Sequence, residues 1–284
     1  MPSQERILTS TDGTKIWAES AGDASKPAMV FIHGLSCTAL GFDHQFADAE
    51  LLTDFYLVRY EMRGHGRSDK PLDAEAYESA RFAQDFKTVC DAFGLNRPFL
   101  WAWSLGGNVG TVAVDVIAAY GPEYLAGVLY VGGGVLSTNH IGLCAHPTIL
   151  GLLPTLISES ADDVPRGAEG FVDSAVATPL PYATKLQWMG AFVAQPQTSR
   201  FHHIHRTQPH DVWQRTAKGV PVLVVNGKED QHCLYENMIG IARTVYDSVE
   251  VELLDGVGHS PQFEEPAKTN AVVREWATRV LRNA

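Results

Sequence analysis

The stretch PFLWAWSLGGNVG, residues 98–110, decides the fold class of this chain. Residues 98–103 are a short apolar run, which is typical of a strand buried on both faces of a parallel sheet. Ser104 follows at once, with a small residue two positions before it and a glycine two positions after it. Small residues at these places allow a tight strand-to-helix turn that lifts the serine hydroxyl above the sheet. The apolar residues behind the turn predict a close-packed helix that runs to about Tyr120.

The same small-x-Ser-x-Gly pattern occurs a second time, in AESAG at residues 18–22. There Ser20 follows a strand-like stretch, but residues 22–27, GDASKP, form a turn and no helical pattern succeeds them. Because the pattern needs a helix after the serine, we predict that Ser104 and not Ser20 is a nucleophile.

Strand-like and helix-like stretches alternate along the chain, which indicates an α/β layer fold. An amphipathic helix is predicted over residues 75–93 with Gly94 as its stop, and a last helix begins near Pro266. Strands are predicted at residues 15–20, 28–33, 55–60, 98–103, 125–131, 221–226 and 249–254.

The alternation stops at about residue 134, and residues 136–211 contain seven prolines and no clear strand. A stretch of this length is too long for a simple loop. We therefore predict one α/β core, residues 1–135 and 212–284, interrupted by a helical lid, residues 136–211, that lies over the sheet. Apolar lid residues are expected to shape a pocket, namely Ile149, Leu152, Leu153, Trp188, Met189 and Phe192.

The composition restricts the expected partners and surroundings. The 284 residues include 22 basic and 33 acidic ones, and the net charge of −11 repels phosphate backbones and anionic lipid, so neither nucleic acid nor a membrane is an expected partner. No apolar run approaches the roughly 20 residues that span a bilayer, and the N-terminal residues lack the apolar region of a signal peptide. The four cysteines show no C-x-x-C spacing, which favours small buried thiols and a cytoplasmic location.

A serine hydroxyl becomes a good nucleophile only when a base takes its proton. His259, one of eleven histidines, follows the last predicted strand in a loop with glycines, and it is the predicted base. The acid that orients such a base is expected after the preceding strand, where Glu229 and Asp230 stand. Asp230 is favoured because it lies three residues past Gly227, whereas Glu229 is expected to be a solvated neighbour. Asp255 lies too close to His259 in the same loop to brace the ring.

Three further histidines, His202, His203 and His205, stand together in the predicted lid. They resemble a metal cluster, but no pair of acidic residues stands near them. We therefore expect these side chains to pack in the lid or at its surface and not to hold a metal ion.

Five features occur in the order found in the α/β-hydrolase superfamily, and the resemblance covers nearly the whole chain. They are His33-Gly34 after a strand, RGHGRS at residues 63–68, the turn at Ser104, NGKED at residues 226–230 and GHSP at residues 258–261. The chain resembles the branch that holds haloperoxidase-like esterases, carbon–carbon bond hydrolases and epoxide-hydrolase-like proteins. One departure is Ala102, which stands where the turn most often has its first glycine.

The resemblance implies a mostly parallel, eight-stranded sheet with helices on both faces, and no metal or organic cofactor. It implies that the backbone N–H groups of Leu35 and Leu105 form an oxyanion hole, with Ser36 a weaker candidate. His33 and residues 63–68 would order the turns around the site. The candidates for the substrate pocket are Trp103, Trp188 and Met189, with Trp101 as a further candidate. Trp101 and Trp103 could instead pack within the sheet.

These expectations describe a serine hydrolase in which Ser104 attacks an acyl carbonyl, His259 takes the proton and Asp230 holds the imidazolium. The expected substrate is a small, fairly apolar carboxylic ester or lactone, and the protein is expected to be a monomer or a homodimer. The same residues could serve carbon–carbon bond hydrolysis or cofactor-free haloperoxidase or perhydrolase chemistry. A ligand receptor with slow turnover is the alternative of a different class. Epoxide hydrolysis is disfavoured because it uses a carboxylate where Ser104 stands.

Overall fold

The structure, a computed structural model, describes residues 3–104, 111–133 and 136–283. Within them one sheet holds eight strands, which are β1 Gln4–Thr9, β2 Lys15–Ala21, β3 Ala28–Ile32, β4 Tyr56–Tyr60, β5 Phe99–Trp103, β6 Gly127–Val131, β7 Val222–Gly227 and β8 Val249–Leu254. Their order across the sheet is β1-β2-β4-β3-β5-β6-β7-β8. β2 pairs antiparallel with both of its neighbours and the other pairs are parallel. The mostly parallel eight-stranded sheet expected from the sequence is confirmed.

Helices connect the strands. The described α-helices are α1 Asp43–Phe46, α2 Ala49–Asp54, α3 Ser79–Phe93, α4 Val112–Tyr120, α5 Ile141–Cys144, α6 Pro147–Leu156, α7 Asp163–Asp173, α8 Tyr182–Ala194, α9 Gln197–His205, α10 His210–Thr216, α11 Tyr235–Val245, α12 Pro261–Glu264 and α13 Pro266–Arg282. Short 3₁₀ helices lie at Ala39–Phe42, Ala74–Tyr77, Pro122–Tyr124 and Thr138–His140. In the described part of the chain, no helix combines the length and the apolar character that crossing a membrane requires.

Each central strand contributes to two cores, because successive side chains of a strand point to opposite faces of the sheet. In β3, Val30 lies in one core and Phe31 in the other. Buried residues of α3, α4 and α11 complete the first core, and buried residues of α2 and α13 complete the second. Helices therefore cover both faces of the sheet.

Between β6 and β7 the described chain forms the helices α5 to α10, and its strand pairing there is limited to one isolated bridge between Ala145 and Cys233. We call residues 136–216 the helical segment. Its helices share a small core of their own, in which Leu156, Phe171 and Phe192 pack against Leu35 from the loop after β3. This packing brings the helical segment to the carboxyl ends of the parallel strands.

The structure differs from the sequence prediction in two elements. β1 was not predicted because it lies at the edge of the sheet, and its exposed or half-exposed side chains give no apolar pattern. The helix predicted from residue 75 begins at Ser79, since Ala74–Tyr77 form a separate 3₁₀ turn, and it ends as predicted at Gly94 with a φ of 66°. The predicted start of the helix after Ser104 lies outside the described residues, and α4 ends at Tyr120 as expected.

Candidate active site

Ser104 follows the last residue of β5 and has a φ of 61°, a left-handed conformation that is uncommon for a residue with a side chain. Its backbone N–H donates a 3.0 Å hydrogen bond to the carbonyl of Val131, the last residue of β6. On the other side Gly34 approaches so closely that a Cβ there would lie 3.2 Å from the Cβ of Ser104. The hydroxyl is therefore held at the carboxyl ends of the central strands.

His259 and Asp230 reach Ser104 from the loops that follow β8 and β7. The Ser104 hydroxyl donates to Nε2 of His259 at 2.6 Å, and Nδ1 of the same ring donates to the two carboxylate oxygens of Asp230 at 2.9 and 3.0 Å. All three residues are buried. The structure thus brings the predicted nucleophile, base and acid into one hydrogen-bonded chain, the arrangement in which a base can activate a serine.

The carboxylate of Asp230 is fixed by its own loop. One oxygen accepts the backbone N–H groups of His232 at 2.7 Å and Cys233 at 2.9 Å, and the other accepts Nδ2 of Asn226 at 3.2 Å. Burial by itself would raise the pKa of Asp230, but the charge and the hydrogen bond of His259 outweigh burial, so the pKa lies below its usual value. The carboxylate is therefore ionised and oriented toward the imidazole.

Leu35 follows β3 and lines the cavity in front of Ser104. Among the described residues none accepts a hydrogen bond from the Leu35 backbone N–H, so this donor is available to a ligand. The N–H of Ser36 is already engaged, because it donates to Nε2 of His65 at 3.1 Å. The second proposed oxyanion donor, Leu105, lies outside the described residues.

Two buried histidines hold the turns beside the site. His33 accepts the backbone N–H of Met62 at 3.2 Å and donates to the carbonyl of Gly34 at 2.8 Å. His65 binds Ser36 as described above, and burial lowers the pKa of both rings. These contacts agree with the turn-ordering role expected for His33 and for residues 63–68.

His232 lies against the proposed base, with its ring centroid 4.4 Å from that of His259. Its Nε2 forms a 2.8 Å hydrogen bond with Oγ of Ser174, which follows α7 in the helical segment. Burial lowers the pKa of His232 well below its usual value, so the ring is neutral. Sequence reasoning missed this residue, whose one signal was its position two residues after Asp230.

Two cavities meet at Ser104 and His259. The larger has a volume of about 540 Å³, within the range of small-molecule sites, and includes aromatic walls from Trp103, Trp188 and Phe263. The smaller has a volume of about 80 Å³ and is mostly aliphatic, with side chains that include Ile141, Ile149, Leu150, Leu153, Leu156 and Ile204.

The pocket candidates from the sequence separate into two groups. Trp103 and Trp188 line the larger cavity, and their rings contact each other with centroids 5.7 Å apart. Met189 is absent from the described walls of both cavities. Its side chain packs against the small core that contains Leu35 and Leu156. Trp101 is also absent from the described cavity walls, and its ring stacks on Phe31 within the sheet packing.

Other candidates lie apart from the site. Ser20 is paired within β2, Glu229 is exposed, and Asp255 forms a 2.6 Å ion pair with Lys228 at the surface. The three clustered histidines of the helical segment bind different carbonyl oxygens, those of Leu72, Arg63 and Phe201 for His202, His203 and His205 respectively.

Glu264 was also missed by sequence reasoning. Its half-buried carboxylate accepts the backbone N–H groups of Gly258 at 2.9 Å and Ser260 at 3.3 Å, which flank His259. It also accepts the N–H of Ala177 in the helical segment at 2.7 Å. One carboxylate therefore ties the loop of the proposed base to the helical segment.

The family model described as the Alpha/beta hydrolase family matches residues 29–272. The chain belongs to the alpha/beta hydrolase family, and the protein is a hydrolase. This agrees with the sheet order, with the sharp turn at Ser104 and with the position of the site at the carboxyl ends of the strands.

Similarity to individual proteins extends over nearly the whole chain. A Burkholderia cenocepacia protein assigned as an aryl esterase has a TM-score of 0.89 and 26% identity, covering 98% of this chain and 100% of that one. The esterase RhEst1 from Rhodococcus sp. ECU1013 has a TM-score of 0.86 and 25% identity, and the match covers 97% of this chain and 99% of that one. A Bacillus subtilis (strain 168) protein named as a 2-succinyl-6-hydroxy-2,4-cyclohexadiene-1-carboxylate synthase is 25% identical, and the match covers 96% of this chain and 98% of that one.

Proposed function

We propose that this hydrolase cleaves small, fairly apolar carboxylic esters or lactones through an acyl-enzyme intermediate. The observation that carries the proposal is the hydrogen-bonded chain from Ser104 through His259 to Asp230, which opens on a cavity large enough for a small molecule. The two esterase structures described above support the same class of substrate.

In the proposed reaction Oγ of Ser104 attacks the acyl carbonyl carbon while Nε2 of His259 takes the hydroxyl proton. The backbone N–H of Leu35 donates to the carbonyl oxygen as it becomes negative, and such donors contribute about 3–4 kcal/mol each to transition-state stabilisation. The imidazolium then gives its proton to the leaving oxygen, and the acyl group remains on Ser104. Water, deprotonated by the same ring, attacks this ester and releases the acid.

The two cavities suggest where the acyl and alcohol parts of the ester bind. The acyl group stays on Ser104 while the alcohol leaves, so the alcohol part should bind in the cavity that reaches solvent. The larger cavity reaches the exposed side chains of Leu40 and Gln187, whereas the smaller one has room for only a few carbon atoms. We assign a short acyl group to the smaller cavity and a bulkier alcohol to the larger one.

The charge of the cavity walls supports a neutral substrate. Neither cavity has a lysine or an arginine among its described lining residues. A carboxylate of the kind named in the Bacillus subtilis relative would lose its hydration there without gaining a cationic partner, which is costly. This favours a neutral ester or lactone over that substrate.

Residues 136–211 of the helical segment are proposed to act as the lid, with residues 1–135 and 212–284 as the core. The segment contributes Phe171, Val172 and Trp188 to the wall of the larger cavity, which Ser104 also lines. A lid of this kind excludes water from the acyl-enzyme site and shapes the substrate pocket.

The test is a panel of p-nitrophenyl esters of graded acyl length, assayed beside lactones and β-diketones. We expect turnover of short-acyl esters by the wild type, its loss in Ser104→Ala, and little change in the matched control Ser20→Ala. Turnover of β-diketones alone would replace the proposal with carbon–carbon bond hydrolysis. Perhydrolysis in the presence of acetate and peroxide would favour haloperoxidase-like chemistry. Tight ligand binding with negligible turnover would favour a receptor. A fluorophosphonate probe that labels Ser104→Ala as strongly as the wild type would exclude Ser104 as the nucleophile.

A further inference from the structure

The residue after the proposed oxyanion donor has an unusual backbone. Ser36 has a φ of 55°, in the left-handed region that residues other than glycine rarely adopt unless their surroundings impose it. Ser36 is the third residue of a turn in which Cys37 donates to the carbonyl of Gly34 at 3.2 Å. A turn with a positive φ at this position normally has glycine or asparagine there. The conformation of Ser36 therefore needs external support.

This turn orients the proposed oxyanion donor. The carbonyl of Gly34 and the N–H of Leu35 belong to one planar peptide unit and point in opposite directions. The Gly34 carbonyl is fixed by the N–H of Cys37 and by Nδ1 of His33. If Ser36 left the left-handed region, the bond that closes the turn would break and the Leu35 N–H could rotate away from the carbonyl that it serves.

The support for Ser36 comes mainly from the helical segment. Its hydroxyl donates to Oε1 of Gln195 at 2.7 Å and accepts Nε of Arg200 at 3.0 Å. Its backbone N–H is bound by His65 from the core. Two of the three hydrogen bonds that hold this residue thus originate in the chain between β6 and β7.

Arg200 is buried, with an exposed fraction of 4%, and among the described residues it has no carboxylate partner. Its guanidinium donates to the carbonyls of Leu156 at 2.8 Å, Phe192 at 2.7 Å and Gln195 at 3.2 Å, where α6 and α8 end. Burial lowers the pKa of Arg200 to about 10, which is still high enough to keep the charge. The guanidinium also lies over the Phe192 ring, 3.7 Å from its centroid, so within the described chain neutral groups alone hold it. A buried cation without a carboxylate partner is a costly arrangement for simple packing.

We infer that Arg200 is a positioning residue for the oxyanion hole, which it sets by holding Ser36 in the left-handed conformation from the helical segment. This rests on the proposed function, since it assigns the Leu35 N–H a role in stabilising the transition state. Arg200 joins the ends of two lid helices to the turn that carries this donor. The placement of the lid and the geometry of the oxyanion hole are therefore coupled through one side chain.

The first measurement is kcat and KM of Arg200→Met and Arg200→Lys on a p-nitrophenyl ester. Because an oxyanion donor acts in the transition state and not on the bound ester, kcat should fall about 10–100-fold while KM stays within about threefold. Lysine keeps the charge and one donor, so Arg200→Lys should retain more activity than Arg200→Met. The matched control is Arg206→Met, which removes another buried arginine of the helical segment, one paired with Asp115 of α4 at 2.9 Å. It should lower Tm with kcat nearly unchanged.

The second measurement separates the conformation of Ser36 from its side chain. Glycine adopts a positive φ without support, so Ser36→Gly should retain more kcat than Ser36→Ala, and adding Arg200→Met to Ser36→Gly should have a smaller effect than adding it to the wild type. Equal kcat losses in Ser36→Gly and Ser36→Ala, or an equal kcat loss in Arg206→Met, would overturn the inference.

The rate at which a fluorophosphonate probe labels Ser104 makes the two proposals distinguishable. Its phosphoryl oxygen uses the same oxyanion donors, so the rate should fall in Arg200→Met by a similar factor to kcat. If the wild type is labelled but hydrolyses no ester, the proposed substrate class fails and the labelling rates still decide the role of Arg200. If the wild type is not labelled at all, both proposals are overturned.

Discussion

The indole N–H of Trp103 donates a 3.1 Å hydrogen bond to the backbone carbonyl of His259. The two residues are 156 positions apart in the sequence, and Trp103 directly precedes Ser104. One contact therefore ties the backbone of the proposed base to the strand that carries the proposed nucleophile. The same two chain segments also meet in the 2.6 Å hydrogen bond between Ser104 and His259.

Trp103→Phe should lower both stability and activity. It removes the donor and leaves the buried carbonyl of His259 without that partner, which should reduce the free energy of unfolding by about 1–3 kcal/mol. A looser base should also reduce kcat, on the order of tenfold. Urea denaturation and ester kinetics measure the two effects.

The control is Trp101→Phe, since the Trp101 indole N–H is buried with no hydrogen-bond partner among the described residues. An equal loss of kcat in both variants would show that the hydrogen bond is not responsible.

Asp230→Asn should reduce kcat by about 10³–10⁴-fold, because an amide can stabilise the wrong tautomer of His259 and cannot neutralise the imidazolium. Glu229→Gln should change little, since that side chain is exposed beside the site. Steady-state kinetics of the two variants, with circular dichroism to verify folding, make the comparison. The reverse pattern would move the acid to residue 229, and no effect in either would leave a serine–histidine dyad.

Five buried histidines should make the stability of the protein depend on pH. Burial lowers the pKa of His33, His65, His140, His203 and His232. An unfolded chain binds protons at histidine near pH 6.5, where these folded rings remain neutral. The stabilisation is therefore fully present above that pH and is lost as the pH falls below it. Each ring that stays neutral should add about 1.4 kcal/mol per pH unit to the decrease in unfolding free energy.

Urea denaturation at pH 7.5, 6.5 and 5.5 measures this slope. His203→Gln should make the slope shallower by the contribution of one proton, whereas His205→Gln, at an exposed position, should leave it unchanged. A slope that is the same in wild type and His203→Gln would mean that the buried ring takes up its proton in the folded state.

Trp188→Ala should change the substrate preference more than the chemistry. The side chain forms a wall of the larger cavity between Trp103 and Phe263, and its removal should improve kcat/KM for bulky alcohols relative to small ones. Met189→Ala is the control on the same helix, because Met189 packs in the core of the helical segment. It should lower Tm without changing the preference. A shift of preference in Met189→Ala alone would place the substrate elsewhere.

The chain order of short motifs was enough to predict much of the site. Ser104, Asp230 and His259 each stand just after a strand with an apolar pattern, and in a parallel sheet those strand ends meet at one place. The edge strand β1 escaped prediction because its exposed side chains carry no apolar signal. Met189 was assigned to the pocket because composition does not tell which face of α8 points to the cavity.

The sequence by itself therefore determined the α/β class, the sheet with its helical interruption, and three side chains that meet at the strand ends, because periodicity and turn chemistry are local properties. Only the tertiary structure decided that His232, which packs on His259, binds Ser174, that Glu264 binds Ala177, and that Arg200 binds Ser36. The hydrogen bonds of His232, Glu264 and Arg200 join the helical segment to the core across long separations in the chain. These contacts depend on how the helices of the helical segment pack over the sheet. That packing is set by the shape of whole surfaces, and no short pattern of residues in the sequence predicts it.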